Sequence, residues 1–71
     1  MIREGVVVFF NKLRGFGSIC SNHEIFAFVA RDVKGAIYTF NEVTFLVKET
    51  LSGKRAYEIK LLIRNLFAER K

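Results

Sequence analysis

The stretch Arg14-Gly15-Phe16-Gly17-Ser18-Ile19 decides how this chain is read, because it stands between a turn and a run of strand-forming residues. Asn11-Lys12-Leu13-Arg14-Gly15 reads as the turn, and Phe16 to Ser21 as a strand leaving it. Side chains two apart in a strand share a face, so Phe16, Ser18 and Cys20 lie on one side while Gly17 and Ile19 lie on the other.

Working outward from that strand, Gly5-Val6-Val7-Val8-Phe9-Phe10 precedes the turn and reads as a first strand, rich in β-branched and aromatic residues. Ser21-Asn22-His23 reads as a tight polar turn, followed by a third strand, Glu24 to Val29. Ala30 to Asn41 mixes charges with one glycine, as a long connection or a short helical turn does. From Glu42 to Glu49 the apolar Val43, Phe45 and Val47 alternate with Thr44, Leu46 and Lys48, the period of a half-buried strand. After a turn at Leu51-Ser52-Gly53-Lys54, Arg55 to Leu61 is expected as a fifth strand. Leu62 to Glu69 is expected as a short helix with Leu62, Ile63, Leu66 and Phe67 on one side. Five short strands without linker or repeat point to a small barrel, closed or partly closed, and an SH3-like barrel fits the strand count equally.

At 71 residues the chain has room for one domain that buries roughly 60% of its unfolded surface. Twelve Lys and Arg against seven acids give a net charge of +5, which favours an anionic partner. The excess sits at the two ends of the chain, residues 1–21 and 51–71, and not between them. Cys20 is the only cysteine, which argues against a disulfide framework or a thiolate zinc site and for a reducing, cytoplasmic home. No apolar run approaches the roughly 20 residues of a spanning helix, so no membrane partner is expected.

Eight phenylalanines are many for so short a chain. By the same alternation Phe26 and Phe28 are expected on one face of the third strand, and Ile25, Ala27 and Val29, whose small and aliphatic side chains suit a core, on the other. The expected core is Ile19, Ile25, Ala27, Val29, Val43, Phe45, Val47 and Ile59. Phe16, Phe26 and Phe28 then share a second surface, and regular alternation adds Phe9 to it, together with Val7 and Asn11. Such a layer needs a cover: unpaired bases stacked on the rings, a partner protein, a second copy, or the C-terminal segment.

Arg14-Gly15-Phe16-Gly17 also opens the basic-Gly-aromatic-Gly-aromatic signature of RNA-binding sheets, with Ser18 where that signature has a ring. Together with Gly5 to Asn11 and Glu24 to Val29, this segment resembles the three opening strands of a cold-shock domain, and the likeness continues through Val43-Thr44-Phe45-Leu46-Val47 and Ala56 to Ile59. The resemblance covers about residues 5–61. It implies an all-β, five-stranded OB-type antiparallel barrel, here with a C-terminal helical extension over 62–71, that binds single-stranded RNA or DNA on an aromatic sheet face. Phe16 and Phe26 match stacking positions of that family, Phe9 stands for its usual Trp, and Phe28 for its usual His. Ser18 and Val29 replace rings, Val8 replaces a surface Lys, and Tyr38 is a weak substitute for a loop aromatic. Arg14 keeps a basic position, and Lys54 and Arg55 lie near another. The expected interface is therefore Phe9, Asn11, Lys12, Arg14, Phe16, Phe26, Phe28, Lys54 and Arg55.

The function this implies is that of an RNA chaperone or expression regulator with weakened or altered affinity. The alternative is a protein-interaction module on the same scaffold, with a homodimer or a protein partner on the aromatic face or the C-terminal segment. An enzyme is not expected: no carboxylate pair, activated nucleophile or phosphate-cradling glycine loop stands at a useful spacing. Nor does any residue set ask for a metal or cofactor, since His23 sits in a polar turn and Cys20 nearby makes at most a weak ligand pair.

Overall fold

The computed structural model describes residues 1–63. Its strands are β1 (Arg3–Asn11), β2 (Phe16–Ser21), β3 (Glu24–Val29), β4 (Val33–Lys34), β5 (Glu42–Thr50) and β6 (Gly53–Leu61), with a 3₁₀ turn at Ala30–Asp32. The sheet order is β3-β2-β1-β5-β6-β4, and a pairing between β3 and β6 closes it into a barrel. Neighbours are antiparallel except at β3–β6 and β4–β6. The five long strands are those expected, and two-residue β4 is an addition within the 30–41 connection. Of the expected C-terminal helix, residues 64–69 lie outside the described residues. Leu62 and Ile63 are described and are not helical; the Leu62 N–H donates to the Glu42 carbonyl at 2.8 Å.

Val7, Ile19, Phe26, Phe28, Ile37, Val43, Phe45, Ala56 and Ile59 fill the barrel, with Phe10, Val33 and Val47 packed against them. Burying each of the larger side chains is worth about 1.5–3 kcal/mol, so three rings inside carry much of the stabilisation. Phe26 meets Phe45 at 5.5 Å between centroids, and Phe28 meets Phe10 at 5.2 Å.

This corrects the expected face of β3. Phe26 and Phe28 are each 1% exposed, whereas Ile25, assigned to the core by the sequence reading, is 62% exposed, Ala27 is exposed and Val29 is half-buried. The cause is one residue of turn. The observed turn is the pair Asn22-His23, both left-handed at φ 54° and 72°, as the two-residue type I′ hairpin requires. Ser21 therefore faces Glu24, and the ladder places Ile19 opposite Phe26, Gly17 opposite Phe28 and Ser18 opposite Ala27. A three-residue turn would put Phe26 beside Ser18; the one-residue difference turns every β3 side chain over.

Gly17 makes the buried Phe28 ring possible. A Cβ at position 17 would stand 2.6 Å from Phe28 Cζ and would collide with the Phe9 carbonyl oxygen. Thus the second glycine of the opening stretch is a packing requirement. The first, Gly15, takes φ +83° in the turn, a conformation that suits glycine.

Strand β1 departs from regular alternation as well. Val7 pairs with Ile19 and Phe9 with Ser18, so the register shifts by one between them and Val8 is the extra residue of a bulge. Val7 consequently points into the core while Phe9, two residues on, points outward. Regular alternation would place both on one face, and the bulge is why they part.

Candidate functional site

The outer face of β1–β3 is built from Phe9 on β1, Phe16, Ser18 and Cys20 on β2, and Ile25, Ala27 and Val29 on β3. Phe9 and Phe16 are diagonal neighbours across the β1–β2 ladder, with ring centroids 5.7 Å apart and planes tilted by 39°. They are 45% and 42% exposed, so each ring keeps a free surface. Ser18 lies directly across from Phe9 on one side and Ala27 on the other, leaving a shallow area beside the rings.

The β1–β2 turn is fixed by Asn11. Its carbonyl accepts from the Gly15 N–H at 2.7 Å, and its side-chain Oδ1 accepts from the Arg14 N–H at 3.0 Å, the Asx arrangement that pins a turn. Asn11 thus shapes the site through its own oxygens. The turn presents Lys12 and Arg14 to solvent, and Lys12 shares a cleft with Phe9.

Opposite the turn stands the segment before β5. The Tyr38 N–H donates to Asn41 Oδ1 at 2.9 Å and the Asn41 N–H to the Tyr38 carbonyl at 3.0 Å. The Phe40 N–H donates to the Val7 carbonyl, and the Val7 N–H to the Asn41 carbonyl, at 2.6 and 3.0 Å. These bonds tether the segment to β1. Between segment and turn runs an open cleft of about 480 Å³ lined by Phe9, Phe10, Asn11, Lys12, Tyr38 and Thr39. Lys12 spans it: its Nζ sits 3.8 Å from the centre of the Tyr38 ring.

The expected basic residues divide in two. Lys54 Nζ lies 3.8 Å from Glu24, which Arg3 also approaches at 3.7 Å, and Arg55 lies 3.5 Å from Asp32. Those cations are partly neutralised. Lys12 and Arg14 have no acidic partner among the described residues, so the uncompensated positive charge of the site lies at its ring end.

Of the nine expected interface residues, the structure brings together Phe9, Asn11, Lys12, Arg14 and Phe16. Lys54 and Arg55 stand at the β3–β6 side, engaged with carboxylates. Phe26 and Phe28 are inside the barrel and offer no surface to a ligand. Tyr38, outside the expected set, is at the cleft; Asn41 three residues later, able to close a turn on it, is the sequence signal for its placement.

No family model matches the sequence, and no curated protein matches it. Among solved structures, a Drosophila Unr chain carrying the cold-shock domains CSD456 superposes with a TM-score of 0.75 over 92% of this chain, at 24% sequence identity. The fold is cold-shock-domain-like. The present chain spans 28% of the length of that Unr chain, so the likeness is to part of it. Within the cold-shock barrel, the outer face of β1–β3 here carries two rings and a largely aliphatic β3.

Proposed function

We propose that this chain binds single-stranded RNA or DNA on the outer face of β1–β3, as a weak, salt-sensitive binder suited to RNA chaperone or regulatory work. The observation that carries the reading is the exposed Phe9–Phe16 pair on the two strands joined by the turn that carries Lys12 and Arg14, two cations without acidic partners among the described residues. Aromatic faces stack on any base, and lysine and arginine beside them meet the phosphates between bases.

The magnitude follows from the ring count. Two stacking faces at about 1–3 kcal/mol each supply about 2–6 kcal/mol, short of the 8.2 kcal/mol of a micromolar complex. The phosphate contacts supply the rest at low salt and lose it as salt rises. Fluorescence anisotropy of labelled oligo-dT and oligo-U across a salt series, with Phe16→Ala as the control, tests the reading: saturable, salt-weakened binding is expected, reduced in the variant. Equal binding by both proteins would refute it.

A second reading has its own observation. Ile25 is 62% exposed beside Ala27, Val29 and Cys20, an aliphatic surface that suits a protein contact, either with a second copy of the chain or with another protein. Sedimentation over a concentration series tests self-association through it, with Ile25→Lys expected to abolish any dimer.

A further inference from the structure

We propose that Lys12 is a two-position gate at the cleft: in the free protein its ammonium caps the Tyr38 ring, and an incoming nucleic-acid strand draws it off onto a phosphate, uncovering the ring. The proposal rests on the single-strand reading above and deepens it. It assigns one lysine to the discrimination between anionic strands and other flat ligands.

The geometry supplies a latch with fixed posts and one moving part. Tyr38 is held by its reciprocal bonds with Asn41, and the segment is tied to β1 through Val7. The turn that carries Lys12 is held by both oxygens of Asn11. What remains free is the lysine stem, four methylenes long and exposed to solvent. Its Nζ stands 3.8 Å from the Tyr38 centroid and 5.9 Å from that of Phe10, within the range of attraction between an ammonium and a ring face.

That resting position has two consequences. While Lys12 is on Tyr38, one ring face at the cleft is unavailable to a base. The contact is weak at an exposed site, and among the described residues no carboxylate holds the ammonium there, so a phosphate is a strong competitor. Displacement would add one phosphate contact and open a further stacking surface next to Phe9, which lines the same cleft. A neutral planar ligand offers Lys12 no such exchange and leaves the latch closed.

The experiment combines NMR with a salt series. In the free protein the Lys12 ε-methylene protons are expected upfield through the ring current of Tyr38, and Tyr38→Leu should remove that shift. Saturating oligo-dT should return the wild-type signals downfield, whereas the uncharged methylphosphonate analogue of the same length should not. By anisotropy, Lys12→Met should flatten the plot of log affinity against log salt by about 0.7, the contribution of one phosphate contact on a single strand, while Tyr38→Leu keeps the wild-type slope. Lys12 signals that stay upfield at saturation, displacement by the uncharged analogue, or an unchanged slope in Lys12→Met would each overturn the gate. Oligo-dT that binds while Lys12 stays put overturns the gate alone; absence of any oligonucleotide binding overturns the single-strand reading along with it.

Discussion

Phe26 stands directly across from Ile19 in the β2–β3 ladder, and both side chains are inside the barrel. Phe16, three positions before Ile19 and on the opposite face of β2, is exposed. The chain therefore divides its phenylalanines into rings that hold the fold and rings that face outward, and the two groups should respond differently to truncation.

Removing a core ring should act on stability. Phe26→Ala leaves a cavity against Phe45 and Phe28→Ala one against Phe10, each costing about 3–5 kcal/mol, comparable to the roughly 5 kcal/mol with which a small domain is held folded. Urea titration followed by circular dichroism should find both variants left with about 0–2 kcal/mol at 25 °C, their midpoints shifted far toward zero denaturant. Phe16→Ala should shift the midpoint little.

Gly17→Ala should destabilise by about 1–3 kcal/mol although it adds one methyl group, because that methyl meets the Phe28 ring and the Phe9 carbonyl. Pairing it with Phe28→Leu should recover part of the loss in the same titration. Strict additivity of the two changes would contradict the close packing of these residues.

The β2–β3 turn offers a stabilising change. His23 takes φ 72° without being glycine, and Asn-Gly is the preferred sequence for a two-residue turn of this type. His23→Gly should stabilise by about 0.5–1 kcal/mol, raising Tm by several degrees for a domain of this size. A lowered Tm would mean that the histidine side chain contributes more than its backbone costs.

Much of the fold is legible in the residues themselves. Gly15, the β-branched runs and the alternation at Val43, Phe45 and Val47 mark all five long strands, and the limits of β2 and β3 agree with the sequence reading to the residue. Period-2 alternation, however, divides a strand into two faces without saying which one is inward. For β3 that choice is made by whether its turn holds two residues or three, and Asn22-His23 lacks the glycine that would announce the shorter turn. In β1 the bulge at Val8 carries no composition signal, being one valine among three. The candidate site inherits these limits: the Phe9–Phe16 pair and its turn cations could be read ahead, while the burial of Phe26 and Phe28, the ion pairs of Lys54 and Arg55, and the approach of Lys12 to Tyr38 depend on tertiary register.

Ser18 tests whether the outer face is short of rings. It lies between Phe9 and Ala27, half-buried on the surface that carries the ring pair. Ser18→Phe should add a stacking face and tighten oligo-dT by about 1–3 kcal/mol, or about 5- to 150-fold, with little change in the salt slope. Anisotropy at fixed salt measures it, and a variant that aggregates instead would favour the protein-contact reading of the face.

The most direct test is the affinity of a Phe9→Ala, Phe16→Ala double variant for oligo-dT and oligo-U at low salt, measured by anisotropy beside the wild type with folding checked by circular dichroism. The double variant should fold and bind at least tenfold more weakly, while wild-type binding is saturable and weakens as salt rises. Wild-type affinity retained by a folded double variant would contradict stacking on this ring pair.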